Sequence, residues 1–406
     1  MTQRIHLVAA ARPNFMKVAP LWHALAAAPD FDPVLIHSGQ HYDPNMSDAI
    51  FADLRLPQPD HHLGIGSGSH AEQTGGVMIA YERIAQADRP DWLVVVGDVN
   101  STAACALVGA KLGIPVVHLE AGLRSRDRSM PEEINRLVTD AVADVLWTPS
   151  PDADVNLADE GIPAERITCV GNIMLDSFEL VRPAIAAAAV PAELGLTGRY
   201  GVVTLHRPSN VDDPAQLAKL ADALLAAQAE LPLVFPVHPR TAQRLAAGGL
   251  SGRLARAGVK LIDPLPYVRF MSLVTGAAAA ITDSGGIQEE TTYLGIPCLT
   301  LRENTERPIT IEQGTNRLVR AETLALALAR ALAAPRDTLR RPFLWDGATA
   351  ARCVADLRRR SGPFRHATED LTTAEAAPIL AAPEARFRGN DDRRGVGGHR
   401  RYRRAS

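Results

Sequence analysis

Short runs of uninterrupted apolar residues alternate along this chain with longer segments whose apolar positions recur every three or four residues. Ile5 to Ala10 reads as a strand, Met16 to Ala28 as a helix, and Val34 to His37 as a second strand. His70 to Ala87 has helical spacing, Trp92 to Val96 is strongly β-prone, and Ser101 to Leu112 is helical, with Ser101 the expected N-cap. Val116 to Leu119 is a strand that stops at Glu120. Pro131 to Val142 opens on Pro-Glu-Glu, which suits a first helical turn. Strands at Asp144 to Thr148 and Ile167 to Val170 complete this half. The strands are apolar nearly throughout, as in parallel sheets covered by helices on both faces.

Patterning weakens between about residues 176 and 199, where Pro183, Pro191 and several alanines predict a domain boundary or a connecting helix that can act as a hinge. The alternation then resumes. Strands are expected at Gly201 to Leu205, Leu233 to Val237, Lys260 to Ile262, Ala278 to Thr282, Pro297 to Leu301 and Asn316 to Val319. Helices are expected at Asp213 to Glu230, Tyr267 to Thr275, Ile287 to Leu294 and Thr323 to Ala334. The fold class this predicts is α/β, with two Rossmann-like domains over 1–172 and 200–345 facing across a cleft, and the ligand outside the carboxyl ends of the strands. Residues 346–360 are expected to form a helix crossing back to the first domain. Periodicity fades over 361–406, where Arg386 to Arg404 carries eight arginines among Gly, Asp and Asn, so a disordered tail is expected.

Composition narrows the picture. The 406 residues include 46% apolar residues, enough for two sizeable cores, and a formal net charge of -3 gives no ground for a nucleic-acid partner. Four separated cysteines form no C-x-x-C pair and no disulfide framework. The N-terminal apolar run is too short for a signal peptide or a membrane span, so a cytoplasmic protein with no membrane partner is expected.

Polar residues collect where the predicted strands end: Arg12, Asp98, Glu120, His206, His238 and Asp283. Adjacent parallel strands lie about 5 Å apart, so Asp98 and Glu120 can share one site, with Glu132 reaching it from the next helix start. Such clustered carboxylates can supply both acid and base. Asp283 opens the segment DSGGIQEE, in which Ser284, Gly285 and Gly286 stand where a helix begins. Bare backbone N–H groups at the positive end of a helix dipole suit a phosphate or diphosphate, and a carboxylate one turn deeper suits the hydroxyls of a ribose. Arg12 and Lys17 offer cationic grip from the other half. The chain has neither G-x-G-x-x-G after its first strand nor a P-loop, and its histidines lack the spacing of a metal site, so no cofactor and no metal are expected.

These residues sit in a series of segments that resembles the non-hydrolysing UDP-N-acetylglucosamine 2-epimerases: ARPNFMKVAPL (11–21), SGQHYD (38–43), GDVNST (97–102), HLEAGLRS (118–125), MPEEINR (130–136), LHRPSN (205–210), PVHPR (236–240), LIDPLPY (261–267), TDSGGIQEE (282–290), TERP (305–308) and GTN (314–316). The resemblance implies a glycosyltransferase-B-like fold and the interconversion of UDP-GlcNAc and UDP-ManNAc without NAD, through bound 2-acetamidoglucal and UDP. It also implies a homodimer. Carried over by position, Asp98, Glu120, Glu132 and His206 match the catalytic residues. Arg12, Lys17, Ser284, Gly285, Gly286, Glu290, Glu306 and Arg307 match substrate-binding positions, with Glu290 on the ribose. Gln40, Glu133, Arg207 and His238 match a regulatory set through which some bacterial members bind a second UDP-GlcNAc as activator. Two departures stand out. Asn14 occupies a position that is Glu in many members, and Pro208-Ser209-Asn210 follows His206-Arg207 where many have HRRE. Both changes remove carboxylates near the expected sugar or effector, which leaves open a modified UDP-HexNAc as substrate. A hydrolysing relative that releases UDP and free N-acetylmannosamine is the other neighbouring expectation.

Overall fold

The computed structural model describes residues 2–10, 12–39, 51, 53–334 and 341–360. Two all-parallel sheets organise them. The first has seven strands: β1 (Gln3–Ala9), β2 (Phe31–His37), β3 (His61–His62), β4 (Trp92–Val96), β5 (Val116–Leu119), β6 (Val145–Thr148) and β7 (Ile167–Cys169). Their spatial order is β3-β2-β1-β4-β5-β6-β7. The second sheet has six: β8 (Gly201–Thr204), β9 (Leu233–Pro236), β10 (Lys260–Ile262), β11 (Ala279–Thr282), β12 (Cys298–Thr300) and β13 (Asn316–Leu318), ordered β10-β9-β8-β11-β12-β13. In each sheet the order reverses beside the first strand, which leaves a crevice at the carboxyl ends of β1 and β4 and of β8 and β11. β4, β5, β9, β11 and β12 are buried along their whole length, because helices cover both faces.

The register aligns the ends that matter. Val96 pairs with Leu119 and Thr204 with Thr282, so Asp98 and Glu120 leave neighbouring strands at the same level, as do His206 and Asp283. The helix Pro131–Val142 has Pro131 in its first turn and buries a polar face made of Glu133, Arg136, Thr139 and Asp140. A helix that turns polar side chains inward must pair them, and the partners lie on the loops after β4 and β5.

Several expectations change. Ser101 is not an N-cap: the helix Asn100–Lys111 begins one residue earlier, its cap is Val99 without a side-chain bond, and Ser101 is buried. Of the two readings of the weakly patterned stretch, the connecting helix is the one found: Ile173–Ala188 is a single helix with Pro183 inside it, capped by the Asn172 side chain. Its alanines obscured the periodicity, yet Ile173, Leu175, Phe178, Val181 and Ile185 form a buried stripe. Ala189, with φ +46°, joins it to the turn Val190–Glu193. β2 starts at Phe31, three residues before its apolar run. Sequence patterning also passed over β3 and the helices Pro151–Asp159, Pro239–Ala247 and Leu250–Arg256.

The helix Ile173–Ala188 ties the two halves together. Ser177 donates its hydroxyl to the Met16 carbonyl in the first half, and Glu179 accepts from the Tyr293 hydroxyl at 2.5 Å in the second. A continuous apolar cluster runs through both halves, from Ile5, Leu21 and Trp147 by way of Phe178 to Val202, Met271 and Ile287. The helix Thr349–Arg360 joins the same cluster with Cys353, Val354 and Leu357. Its first turn is capped from outside by Asp176, which accepts from the Thr349 and Ala350 amides at 3.1 and 2.8 Å. Asp356 accepts from the Trp147 indole at 2.8 Å, and Arg358 pairs with Asp30 at 2.6 Å, so this helix lies on the first half. Among the described residues no helix is long and apolar enough to cross a membrane.

Candidate active site

Glu120 is the meeting point of the two halves. It follows β5 with φ +74°, a left-handed conformation that costs a non-glycine residue about 1 kcal/mol or more. The strain is held by the Glu120 and Ala121 amides, which both donate to the Trp147 carbonyl at 3.0 Å. The turn aims the nearly buried carboxylate into the cleft. There one oxygen pairs with Lys17, from the helix Arg12–Ala26, and the other lies 3.4 Å from an Nη of Arg307, which comes from the second half.

Asp98 stands on the neighbouring loop. Gly97 before it has φ +71°, and a Cβ there would come within 3.3 Å of Lys17 Nζ and Asn14 Nδ2 and 3.5 Å of Glu120 Oε2. Glycine is what lets the β4 loop pass this close to the cluster. Arg136 pairs with the Asp98 carboxylate, and Asn135 donates to the Asp98 carbonyl at 2.9 Å. Burial would raise the Asp98 carboxyl, but Arg136, Lys17 and Arg307 hold it below the ordinary carboxylate range. Glu132 is exposed in the first turn of the same helix. It lies three and four residues before Asn135 and Arg136, the two side chains of this helix that bond Asp98.

Under both turns lies a buried brace. His118 places Nδ1 2.6 Å from Asp140 Oδ1 and Nε2 2.8 Å from the Gly97 carbonyl. Asp140 also accepts from the Gly122 amide at 3.1 Å and pairs with Arg124 at 2.8 Å. The loops carrying Asp98 and Glu120 are therefore fixed to one another through His118 and Asp140. Glu133 is not open to the cleft. It accepts from the Ser125 and Arg126 amides at 2.9 Å, from the Ser125 hydroxyl at 3.0 Å and from Arg136 at 2.9 Å.

In the second half, Asp283 is fully buried and gathers the loop after β8. It accepts from the His206 and Arg207 amides at 3.1 and 3.0 Å and from Asn210 Nδ2 at 3.1 Å, with His206 Nδ1 at 3.2 Å. The rings of His206 and His238 lie 6.0 Å apart, with His206 partly exposed toward solvent. Burial, His206 and Arg240 lower the His238 pKa, which favours a neutral ring.

The helix Gly285–Leu294 begins beside Asp283. Ser284 is its N-cap but makes no side-chain capping bond, so the first-turn N–H groups keep their hydrogen-bonding capacity. A Cβ on Gly286 would meet no atom within 4 Å, whereas one on Gly285 would stand 2.9 Å from Glu306 Oε1 and 3.5 Å from Arg307 Nη1. Open space lies on one side of the helix start and the TERP segment on the other. Burial opposes ionisation of Glu306, yet Arg307 and Arg302 hold its carboxyl down to about 2, with Arg302 at 2.8 Å and Arg207 at 3.5 Å. Glu290 is buried deeper in the helix and accepts from the Tyr267 hydroxyl at 2.7 Å. Its burial and the neighbouring Glu289 outweigh that bond and raise the carboxyl to about 8.

The structure thus brings Lys17, Asp98, Glu120, Glu306 and Arg307 into one charged cluster. Ser284, Gly285, Gly286, Arg207 and His206 stand along the second-half wall. Gln40 and His41 lie outside the described residues, and Arg12 is described only as the first residue of its helix. Sequence reasoning missed Arg136, Arg302 and Glu289, whose partners Asp98, Glu306 and Arg307 sit on loops of the same half. The two departures from the common pattern are structural members of the site. Asn14 Nδ2 donates to the Val96 carbonyl at 3.0 Å, and Asn210 Nδ2 reaches both Asp283 and the Leu301 carbonyl. Among the described residues no group of three or more His, Cys, Asp and Glu side chains is placed to hold a metal.

Two parallel-sheet α/β halves meeting at the carboxyl ends of their strands, with a helix start opposite a carboxylate cluster, define a glycosyltransferase-B-like protein. A family model described as UDP-N-acetylglucosamine 2-epimerase matches residues 23–358. The UDP-N-acetylglucosamine 2-epimerase of Methanocaldococcus jannaschii is 40% identical over 323 residues, covering 78% of this chain and 88% of that protein. The UDP-2,3-diacetamido-2,3-dideoxy-D-glucuronate 2-epimerase of Pseudomonas aeruginosa is 38% identical over 327 residues, with 78% and 88% covered. A crystal structure of the M. jannaschii enzyme in complex with UDP-GlcNAc and UDP superposes with a TM-score of 0.78 at 39% identity, over 88% of this chain and 99% of that one. The chain belongs to the UDP-N-acetylglucosamine 2-epimerase family.

Proposed function

We propose that this protein epimerises C2 of UDP-N-acetylglucosamine to UDP-N-acetylmannosamine without net hydrolysis. The observation that carries this reading is Glu120, held between Lys17 of its own half and Arg307 of the other, next to Asp98 and across from the open helix start at Gly286. C2–H of an acetamido sugar has no adjacent carbonyl, so direct deprotonation is costly. Breaking the C1–O bond sends its electron pair to the departing UDP and leaves C1 cationic. A carboxylate then removes the C2 proton, and the C–H electrons form the C1=C2 bond of 2-acetamidoglucal. Return of a proton to the opposite face of C2 and re-addition of UDP at C1 complete the inversion.

Each requirement has a group at hand. The backbone of Ser284-Gly285-Gly286, with His206, takes the charge developing on the diphosphate, while Arg307 pairs with Glu120. Glu290 and Tyr267 receive the ribose. Glu120 and Glu132 divide the proton transfers, one serving each face of C2, while Asp98 and Lys17 organise the pair. No redox step occurs, so the chemistry needs no NAD. A homodimer, and a second UDP-GlcNAc bound near Arg207 and His238, belong to the same reading, as does a cytoplasmic location. In this chain Glu133 serves such an effector indirectly, by bracing Ser125 and Arg126.

A diacetamido uronate substrate is the second reading. It is supported by the 38% identity to the P. aeruginosa enzyme and by Asn14 in a position that is often Glu. Incubation with UDP-GlcNAc and with the diacetamido uronate, followed by proton NMR of the products, tests both. A stable mixture of UDP-GlcNAc and UDP-ManNAc with no net free UDP is expected. Steady accumulation of UDP with free N-acetylmannosamine contradicts the non-hydrolysing reading, and turnover confined to the diacetamido sugar replaces the substrate.

A further inference from the structure

Glu289 has no assigned part in the site, yet it is one of the most enclosed carboxylates in the molecule, at 2% exposure. Its Oε1 lies 2.5 Å from Arg307 Nε, and its Oε2 is buried without a hydrogen-bond partner. A buried carboxylate costs several kcal/mol in lost hydration, and an apolar side chain of similar size is often the more stable choice. The same helix buries an apolar side chain at Ile287.

What Glu289 does control is the direction of a guanidinium. Arg307 presents its nitrogens in a rigid planar fork, and three carboxylates take three different nitrogens. Glu289 faces Nε, Glu306 lies 3.4 Å from Nη1, and Glu120 lies 3.4 Å from Nη2. Glu289 and Glu306 both belong to the second half. From that side Glu289 and Glu306 attract Nε and Nη1 as ion pairs, without hydrogen-bond geometry at Nε, and Nη2 faces across the cleft toward Glu120. Lys17 meets the other oxygen of Glu120 from the first half, so the carboxylate is bracketed between two cations whose angle depends on Glu289.

We propose that Glu289 is a positioning residue for C2 epimerisation, aiming Arg307 at Glu120 across the cleft while leaving the Gly286 side of the helix start open for diphosphate. This rests on the epimerase reading above. It predicts a loss in turnover out of proportion to any loss in nucleotide binding, because Glu289 pairs with Arg307 and not with the helix-start backbone or the Glu290–Tyr267 pair that hold most of the UDP.

The test uses the full chain, with UDP-GlcNAc as substrate and UDP as the binding probe. Glu289→Gln is expected to lower kcat about tenfold or more while the UDP Kd stays within about threefold and Tm changes little. Introducing Glu289→Gln into an Arg307→Met background is expected to cost nothing further, since a residue acting only through Arg307 has nothing left to position. Glu289→Leu, which fills the site without charge, is expected to fall at least as far in kcat as the Gln variant. Parent-like kcat in Glu289→Gln overturns the proposal, and so does a double variant whose loss is the product of the two single losses. Failure of both Glu289 variants to fold overturns it in favour of a purely structural role. If the parent itself forms no epimer from UDP-GlcNAc, the epimerase reading has failed first, and the positioning role falls with it.

Discussion

At the scale of single residues, some carboxylates of the cleft move protons and others hold neighbouring groups in place. Glu120→Gln keeps the shape and polarity of the side chain but removes its basicity. Turnover should fall about 100-fold or more, while UDP affinity measured by calorimetry stays near that of the parent. A variant within a few-fold of parental turnover would remove Glu120 from the proton path. Glu290 titrates differently. Its folded carboxyl is raised from the ordinary 4.5 to about 8, so over that interval the folded chain holds a proton that the unfolded chain has lost. Stability from this group is complete below the lower value and declines as pH rises through the upper one. Glu290→Gln cannot titrate there, so its Tm should improve relative to the parent between pH 5 and pH 8, a change worth about 3 kcal/mol. A constant difference across that range would show that Glu290 is not buried in this way. Asp98, Glu120, His206 and His238 were legible in the sequence because each directly follows an apolar strand. Glu289 and Arg136 were not, because their meaning lies in partners 18 and 38 residues away. The reading of QEE as a ribose grip used only its second carboxylate.

At the scale of elements, the helix Gly285–Leu294 gives the sharpest contrast between neighbouring positions. Alanine at Gly286 enters open space, so folding should be unaffected and Tm should stay within about 2 °C. If that space receives the diphosphate, UDP affinity should nevertheless drop about tenfold or more. Unchanged affinity in Gly286→Ala would place the diphosphate elsewhere. Gly285→Ala instead pushes on Glu306 and Arg307 and is expected to disturb both stability and binding. The helix start was visible in the sequence, since two glycines after a strand leave few alternatives. Ser101 shows the limit of the same reasoning. A serine near a predicted helix start suits a cap, but here Val99 takes that position and Ser101 turns into the core. The alanine-rich helix Ile173–Ala188 was obscured for a related reason: alanine favours helix but marks no face, and Pro183 looks like a break. The buried stripe that fixes it is shared with partners from both halves.

At the scale of the whole molecule, the alternation of strands and helices was enough to foresee two parallel sheets, because β-branched runs bounded by loops recur at crossover spacing in both halves. How the halves are joined was less legible. One apolar cluster passes from the first sheet through Phe178 to the second, and Cys353, Val354 and Leu357 complete it from the last described helix. Residues 2–360 should therefore unfold in one cooperative step followed by tryptophan fluorescence and circular dichroism. Leu357→Ala, at a fully buried position, should lower stability by about 2–5 kcal/mol without splitting that transition. Two separate transitions would mean that the halves are energetically independent and that the shared helices act only as tethers. The cleft itself depends on this union, since Lys17 and Arg307 reach Glu120 from opposite sides. The most direct test of the central claim is proton NMR of UDP-GlcNAc incubated with the protein in deuterated water. Epimerisation by elimination and re-addition predicts deuterium at C2 of both UDP-GlcNAc and UDP-ManNAc, with the nucleotide still attached. Retention of the C2 proton in a sugar that remains bound to UDP would contradict it.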